Sequence, residues 1–275
     1  RAANSNTISL TTQTGRVSSV VVDPGAPATL YAAVDGGGVF TSSNSGASWS
    51  ATVGQPASNR VQKLLLVAGA PTTLYAATYG SGVFFSTNSA SSWSACTGQP
   101  ANPNVLALSA TASGTLYAGT EGGVFASLDG CASWSPVNGG LTVDAAKPPL
   151  AIAVDPNAAG TLYAGFDGAG VYKSINSGGA WTAASTQPAN LRVKALVIKP
   201  GDSSKLFAAT YGGGVFQSTD SGQNWNVACA TQPANLNLLS LVIDASGKLY
   251  AGSEAGVFVS SNDCANWTAL NTGMP

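Results

Sequence analysis

Six tryptophans, Trp49, Trp93, Trp134, Trp181, Trp225 and Trp267, stand 44, 41, 47, 44 and 42 residues apart, and the chain has no others. Each closes an eight-residue phrase that begins with Ser and carries Asp or Asn at its third place. A period of about 40–50 residues marks a propeller, a solenoid or an array, because one short unit cannot bury its own apolar face and must stack on the next. A chain of 275 residues is long enough for one or two domains, and the even repeat argues for one body.

Each repeat reads as four short strands. In the first, these are Val17-Ser18-Ser19-Val20-Val21-Val22, Thr29-Leu30-Tyr31-Ala32-Ala33, Val39-Phe40-Thr41-Ser42 and a last one at Trp49. Turns at Asp23-Pro24-Gly25, Asp35-Gly36-Gly37-Gly38 and Asn44-Ser45-Gly46 separate them. Short β-branched and aromatic runs bounded by Gly, Pro, Asn and Asp are hairpin signals. The expected fold is therefore all-β, a single six-bladed β-propeller of four-stranded blades. The blades are expected at approximately 16–57, 58–102, 103–146, 147–190, 191–235 and 236–275. Residues 1–15 are expected to form an N-terminal extension, with Asn6 to Thr12 as an extra strand free to pair with an exposed outer strand.

The phrase resembles the Asp-box, Ser-x-Asp-x-Gly-x-x-Trp, of the bacterial-neuraminidase repeat family. The resemblance spans nearly the whole chain through Ser42–Trp49, Ser86–Trp93, Ser127–Trp134, Ser174–Trp181, Ser218–Trp225 and Ser260–Trp267. The third place is Asp at Asp129 and Asp220 and Asn at Asn44, Asn88, Asn176 and Asn262. The fifth is Gly46, Gly178 and Gly222, but Ala90, Cys131 and Cys264 elsewhere, where a left-handed turn would be strained. In that family the box is a structural turn away from the ligand face, so these Asx residues and the tryptophans are expected to be scaffold. The Leu116–Phe125 stretch is also similar to phrases in xyloglucan-cleaving glycosidases and in photosystem II assembly factors.

The repeats form two sets of three. Asp35, Tyr79 and Glu121 hold one place in repeats one to three, and Asp167, Tyr211 and Glu254 hold it in repeats four to six. The cysteines obey the same offset, Cys96 with Cys229 and Cys131 with Cys264. The chain thus reads as a duplicated three-blade half. Four cysteines permit three pairings. The duplication favours Cys96–Cys131 and Cys229–Cys264, with four buried free thiols as the alternative. Disulfides point to an oxidising compartment, so the expected location is secreted, periplasmic or cell-surface, in a bacterium. The opening Arg1-Ala2-Ala3 lacks Met, as in a processed chain or one cut from something longer.

Charged residues are only 8% of the chain and the net charge is −1. No basic field is present to neutralise phosphates, which argues against nucleic acid. No apolar run approaches a membrane span, so no direct membrane insertion is expected. The chain has no histidine, the commonest metal ligand and neutral-pH base. A carboxylate ring of Asp35, Glu121, Asp167 and Glu254 lacks the dense ligand spacing of a calcium loop. Neither a metal nor a cofactor is expected.

Strand alternation places the turns between second and third strands, and the connections between blades, at the end opposite the Asp-boxes. Those connections read Gly54-Gln55-Pro56-Ala57, Gly98-Gln99-Pro100-Ala101, Thr186-Gln187-Pro188-Ala189 and Thr231-Gln232-Pro233-Ala234. Repeat three departs with Leu141-Thr142-Val143-Asp144-Ala145-Ala146-Lys147-Pro148. Three of the four arginines, Arg16, Arg60 and Arg192, sit just before a first strand. The candidate ligand face is thus Arg16, Asp35, Arg60, Tyr79, Glu121, Asp167, Arg192, Tyr211 and Glu254, with amides among them; mutual pairing of these charges is the alternative.

Sialidases use three arginines, a Tyr with a Glu, and an Asp, and Arg16, Arg60, Arg192, Tyr79, Glu121 and Asp35 fit that cast. The Phe/Tyr-Arg-Ile-Pro opening is absent, however, and the triplet follows the duplication, whereas catalysis needs acid and base in different environments. No catalytic residue is therefore assigned. The expectation is a non-catalytic exported scaffold or interaction module with a protein partner or self-association. A carbohydrate-binding, lectin-like protein with a glycan ligand is the alternative, and a glycoside hydrolase of sialidase or xyloglucanase type comes third.

Overall fold

The computed structural model describes residues 16–69, 71–225 and 227–271. The expected strand at Asn6–Thr12 lies outside them. Six four-stranded antiparallel sheets follow one another along the chain, and the fold is an all-β, six-bladed β-propeller. Sheet one is β1 (Val17–Val22), β2 (Leu30–Val34), β3 (Gly38–Ser42) and β4 (Ser50–Ala51). Sheet two is β5 (Val61–Val67), β6 (Thr73–Thr78), β7 (Gly82–Ser86) and β8 (Ser94–Ala95). Sheet three is β9 (Val105–Ala110), β10 (Leu116–Thr120), β11 (Gly123–Ser127) and β12 (Ser135–Pro136). Sheet four is β13 (Pro149–Val154), β14 (Leu162–Phe166), β15 (Gly170–Ser174) and β16 (Thr182–Ala183). Sheet five is β17 (Val193–Lys199), β18 (Asp202–Thr210), β19 (Gly214–Ser218) and β20 (Val227–Ala228). Sheet six is β21 (Leu238–Ile243), β22 (Leu249–Ser253), β23 (Gly256–Ser260) and β24 (Thr268–Ala269). The fourth strand is only two residues long and begins just after each tryptophan rather than at it.

By internal contacts the chain divides into two compact units. One gathers the described residues up to Ala118 with Ser127–Ser135; the other gathers Gly119–Ala126 and the chain from Pro136 onward. The division runs through sheet three, although the sequence duplication would place it just after that sheet.

Within each unit the core lies between successive blades. In the first, Tyr31, Val39, Val61, Leu64, Leu74 and Phe84 pack blade one on blade two. In the second, Tyr163, Val171, Val193, Leu196, Leu206 and Phe216 repeat that cluster between blades four and five. The second strands explain why their sequences alternate large with small. Both of their faces are buried, so Tyr163 fills one gap while Gly165 lies where an added Cβ would meet Val193 Cγ1 at 2.5 Å. Full burial of one such aromatic or aliphatic side chain contributes roughly 1.5–3 kcal/mol.

The tryptophan phrase is held by a recurring set of hydrogen bonds. Ser42 Oγ donates to Asn44 Oδ1 and accepts from Gly46 N, while Asn44 Oδ1 accepts from Ser48 N. Ser218 and Asp220 do the same with Gly222 N and Asn224 N. Asn88, Asp129, Asn176 and Asn262 each accept from the backbone N–H four residues on. The fifth place is left-handed even where it is not glycine: φ is 62° at Ala90, 74° at Cys131 and 62° at Cys264. Those repeats carry a second cost. Trp93, Trp134 and Trp267 bury an indole N–H without a partner, whereas Trp225 Nε1 donates to Gly222 O and Trp181 Nε1 to Val137 O.

The disulfides are Cys96–Cys131 and Cys229–Cys264, each 35 residues apart, and no cysteine is free among the described residues. They tie blade two to blade three and blade five to blade six. Blades five and six carry a further clamp, in which Lys199 Nζ and Lys205 Nζ reach the Asp263 carboxylate at 2.6 and 2.8 Å.

Candidate functional site

The end of each blade opposite the tryptophan phrase is built from the turn after the second strand and the connection into the next blade. Gly36 N and Gly38 N donate to Asn59 O, so the blade-one turn rests on the chain entering blade two. Gly168 N and Gly170 N rest on Leu191 O in the same way. A short bridge therefore sets Asp35 against Arg60 and Asp167 against Arg192.

In the second unit this produces a linked polar chain. Arg192 Nε donates to Asp167 Oδ1 at 2.9 Å, and its guanidinium lies over the Tyr211 ring, 4.8 Å from the centroid. The Tyr211 hydroxyl donates to Glu254 Oε1 at 2.7 Å, and Asn237 Nδ2 donates to Glu254 Oε2 at 2.7 Å. Lys194 Nζ stands 3.6 Å from Asp167 Oδ2 and 6.0 Å from the Tyr211 ring. The hydrogen bond that Arg192 donates to Asp167, and then the charge of Asp167, hold Arg192 above its usual pKa. The hydrogen bond from Tyr211 and then that from Asn237 hold Glu254 below the ordinary carboxylate range, and Glu254 raises Tyr211 in return.

The first unit repeats the arrangement more loosely. Arg60 Nε is 3.9 Å from Asp35 Oδ1, its guanidinium lies 4.4 Å from the Tyr79 centroid, and Gln62 Nε2 donates to Asp35 Oδ1 at 3.2 Å. Gln62 stands where the second unit has Lys194, so one half carries an extra cation. Arg16 is exposed and gives its carbonyl to Asp35 N. Glu121 is half-buried at the β10–β11 turn. Among the described residues no three His, Cys, Asp or Glu side chains are placed to hold a metal ion.

The amides of the Gln-Pro connections do not reach out to a ligand. Gln55 Oε1 accepts from Val39 N, and its Nε2 donates to Val39 O, so the side chain completes the edge of its own sheet. Gln99, Gln187 and Gln232 repeat this on Val83, Val171 and Val215, while Asn138 and Asn271 accept from Val124 N and Val257 N. The Gly that opens β3 makes room: a Cβ on Gly38 would collide with Gln55 Oε1. Lys194 and Gln62 were not singled out from the sequence, although each stands two residues after an arginine.

A cavity of about 140 Å³ lies beside this end in the second unit. Leu141, Thr142, Asp144 and Lys147 of the blade-three connection wall it on one side, and Phe166, Ala169 and Tyr172 of the β14–β15 hairpin on the other. Phe166 and Tyr172 meet edge to face, with centroids 5.1 Å apart. The connection is pinned by Leu141 N to Asn138 O, Lys147 N to Asp144 O and Ala146 N to Asp144 Oδ1, each at 2.9 Å.

The fold and these geometries define a β-propeller with a charged, duplicated loop end. No family model and no curated protein matches the chain. Solved structures do match at the level of the fold. An ancestral GH74 enzyme aligns at 23% identity and TM-score 0.75, over 93% of this chain and 38% of its own. YCF48 from Cyanidioschyzon merolae aligns at 14% identity and TM-score 0.65, over 93% and 84%. PorZ, an essential bacterial surface component of the type-IX secretion system of Porphyromonas gingivalis, aligns at 17% identity and TM-score 0.63, over 90% and 39%. The chain spans little more than a third of the GH74 enzymes it resembles, 38% of one and 37% of another from Niastella koreensis.

Proposed function

We propose that this chain is an Asp-box propeller acting as a non-catalytic scaffold or interaction module of an extracytoplasmic assembly, with the Arg–Tyr–carboxylate end of its blades as the contact surface. The observation that carries the reading is the mutual satisfaction of that end. Asp167, Arg192, Tyr211 and Glu254 spend their charges and hydrogen bonds on one another, and the Asp35–Arg60–Tyr79 group repeats the pattern. A glycosidase needs one carboxyl group kept protonated as general acid. Glu254 is instead held ionised by Tyr211 and Asn237. Pre-ordered arginines and tyrosines are the side chains that serve protein interfaces, and here Arg60 and Arg192 are exposed over half-buried Tyr79 and Tyr211.

The two disulfides support an oxidising compartment. PorZ, a bacterial surface component, and YCF48, known bound to a D1 peptide, supply precedents for propellers of this kind in assemblies. A net charge of −1 favours association with further copies of the chain.

Sedimentation across a concentration series, with the R60E/R192E variant alongside, tests the reading. Self-association lost in that variant supports it. Turnover of any 4-methylumbelliferyl glycoside, abolished by Glu254→Gln, overturns it. Glycan-array binding lost in Y79A/Y211A would transfer the same surface to the carbohydrate-binding alternative.

A further inference from the structure

We propose that the cavity between the blade-three connection and the β14–β15 hairpin is a binding site for one neutral hexopyranose ring. The site is separate from the Arg–Tyr–carboxylate end and does not depend on the reading given above. It breaks the duplication. Phe166 stands where the other blades carry Val34, Thr78, Thr120, Thr210 and Ser253, and Tyr172 replaces a phenylalanine found in all five. The connection that walls it belongs to the longest interval between tryptophans, 47 residues, and leaves the Gln-Pro pattern of four other blades. The longest connection stands at this place and walls one side of the space, with Thr142, Asp144 and Lys147 exposed at its rim.

Size and chemistry select the occupant. A volume of about 140 Å³ is close to the roughly 150 Å³ of a cavity that takes up a benzene ring, so it matches the ring of a pyranose, whose exocyclic hydroxyls would face the exposed Thr142, Asp144 and Lys147. Leu141, Phe166 and Ala169 supply apolar wall, and the half-buried Tyr172 supplies a ring with a hydroxyl. Around them are a cation, an anion and two hydroxyls. Lys147 Nζ, Thr142 Oγ1 and the Tyr172 hydroxyl have no hydrogen-bond partner among the described residues, and Asp144 uses only Oδ1. An anionic ligand would meet Asp144 and a cationic one Lys147. A purely apolar ring would leave all four polar groups to water. A pyranose has a face of C–H groups for the apolar wall and hydroxyls that both donate and accept, which suits a mixed set of this kind.

The test is saturation-transfer NMR on the full chain with methyl glucoside, galactoside, mannoside, xyloside and N-acetylglucosaminide, plus a glycan array for the same residues at chain ends. Binding of at least one pyranoside, lost in Ala169→Trp and weakened roughly tenfold in Lys147→Ala, is the expected result. Both variants must keep the wild-type melting temperature, and Tyr172→Phe serves as a milder probe of the hydroxyl. Array binding without free-sugar binding would assign the site to a glycan end; the reverse would assign it to a free sugar. The proposal fails if no pyranoside binds by either method, if Ala169→Trp binds as well as wild type, or if only phenol and benzyl alcohol bind. Because Lys147 and Ala169 lie outside the Arg–Tyr–carboxylate groups, these results leave the sedimentation test above unaffected.

Discussion

Replacing Cys96 and Cys131 together with alanine removes the cross-link between blades two and three. Both side chains are almost fully buried, so alanine avoids the unpaired hydroxyl that serine would leave. The bond closes a stretch of 35 residues, and the chain-entropy relation gives a loss of roughly 4 kcal/mol for a loop of that length. At about 2 °C per kcal/mol for a chain of this size, the melting temperature falls by about 8 °C. Cys229 and Cys264 close a stretch of the same length, so C229A/C264A has the same global cost. The local consequences differ. Blades five and six keep the Lys199–Asp263–Lys205 clamp, whereas Val67, Thr73 and Gly130 hold the corresponding places in blades two and three. Guanidinium unfolding followed by tryptophan fluorescence and far-UV dichroism gives the global values. Hydrogen exchange gives the local ones, with faster exchange around Ala132 than around Ala265 in the respective variants. A loss below about 1 kcal/mol for either pair, or a difference above about 1.5 kcal/mol between them, would refute the loop-entropy argument.

Gly46→Ala and Gly222→Ala separate backbone strain from crowding. Both glycines have φ near +80°, at +87° and +78°. A Cβ at position 46 comes no nearer than 3.8 Å to Trp49, but at 222 it lies 2.6 Å from Tyr163 Cε1. The first should cost about 1 kcal/mol and the second about 3 kcal/mol in urea unfolding. Burial raises the pKa of Asp263, but hydrogen bonds and charge from Lys199 and Lys205 outweigh it and hold the carboxyl below its usual value. A depressed folded-state pKa gives stability that is full above about pH 4 and lost as pH falls through the folded value, so K199M/K205M should flatten the acid limb of the stability profile. Burial, then the charge of Asp155, pushes Tyr163 up to about 12. Its share of stability is therefore full below about pH 10 and lost as pH rises through about 12, and Tyr163→Phe should remove that alkaline loss together with one late step in the 295 nm absorbance titration.

The period of the tryptophans determined the number of blades, and local patterns of Gly, Asx and β-branched residues determined the four-strand count and the position of the turns. The duplication favoured the cysteine pairing without fixing it, because all three pairings obey the offset; the approach of neighbouring blades decides it. Ala90, Cys131 and Cys264 were recognisable as non-glycine residues at a left-handed place for the same local reason. Other features required the tertiary structure. The Gln-Pro loops read as amides for a ligand, yet Gln55, Gln99, Gln187 and Gln232 turn back to finish their own sheets, a choice set by unpaired backbone groups on β3, β7, β15 and β19. Arg192, Tyr211 and Glu254 were visible as candidates, but not that a cation–π contact and a hydrogen bond link them in one chain. Their partners lie 17 to 43 residues away, and the stacking of one blade on the next brings them together. The cavity at Phe166 left just two traces, an atypical connection and one out-of-place aromatic. Whether a long loop encloses space or lies flat depends on what it packs against, and that is decided between blades rather than within one.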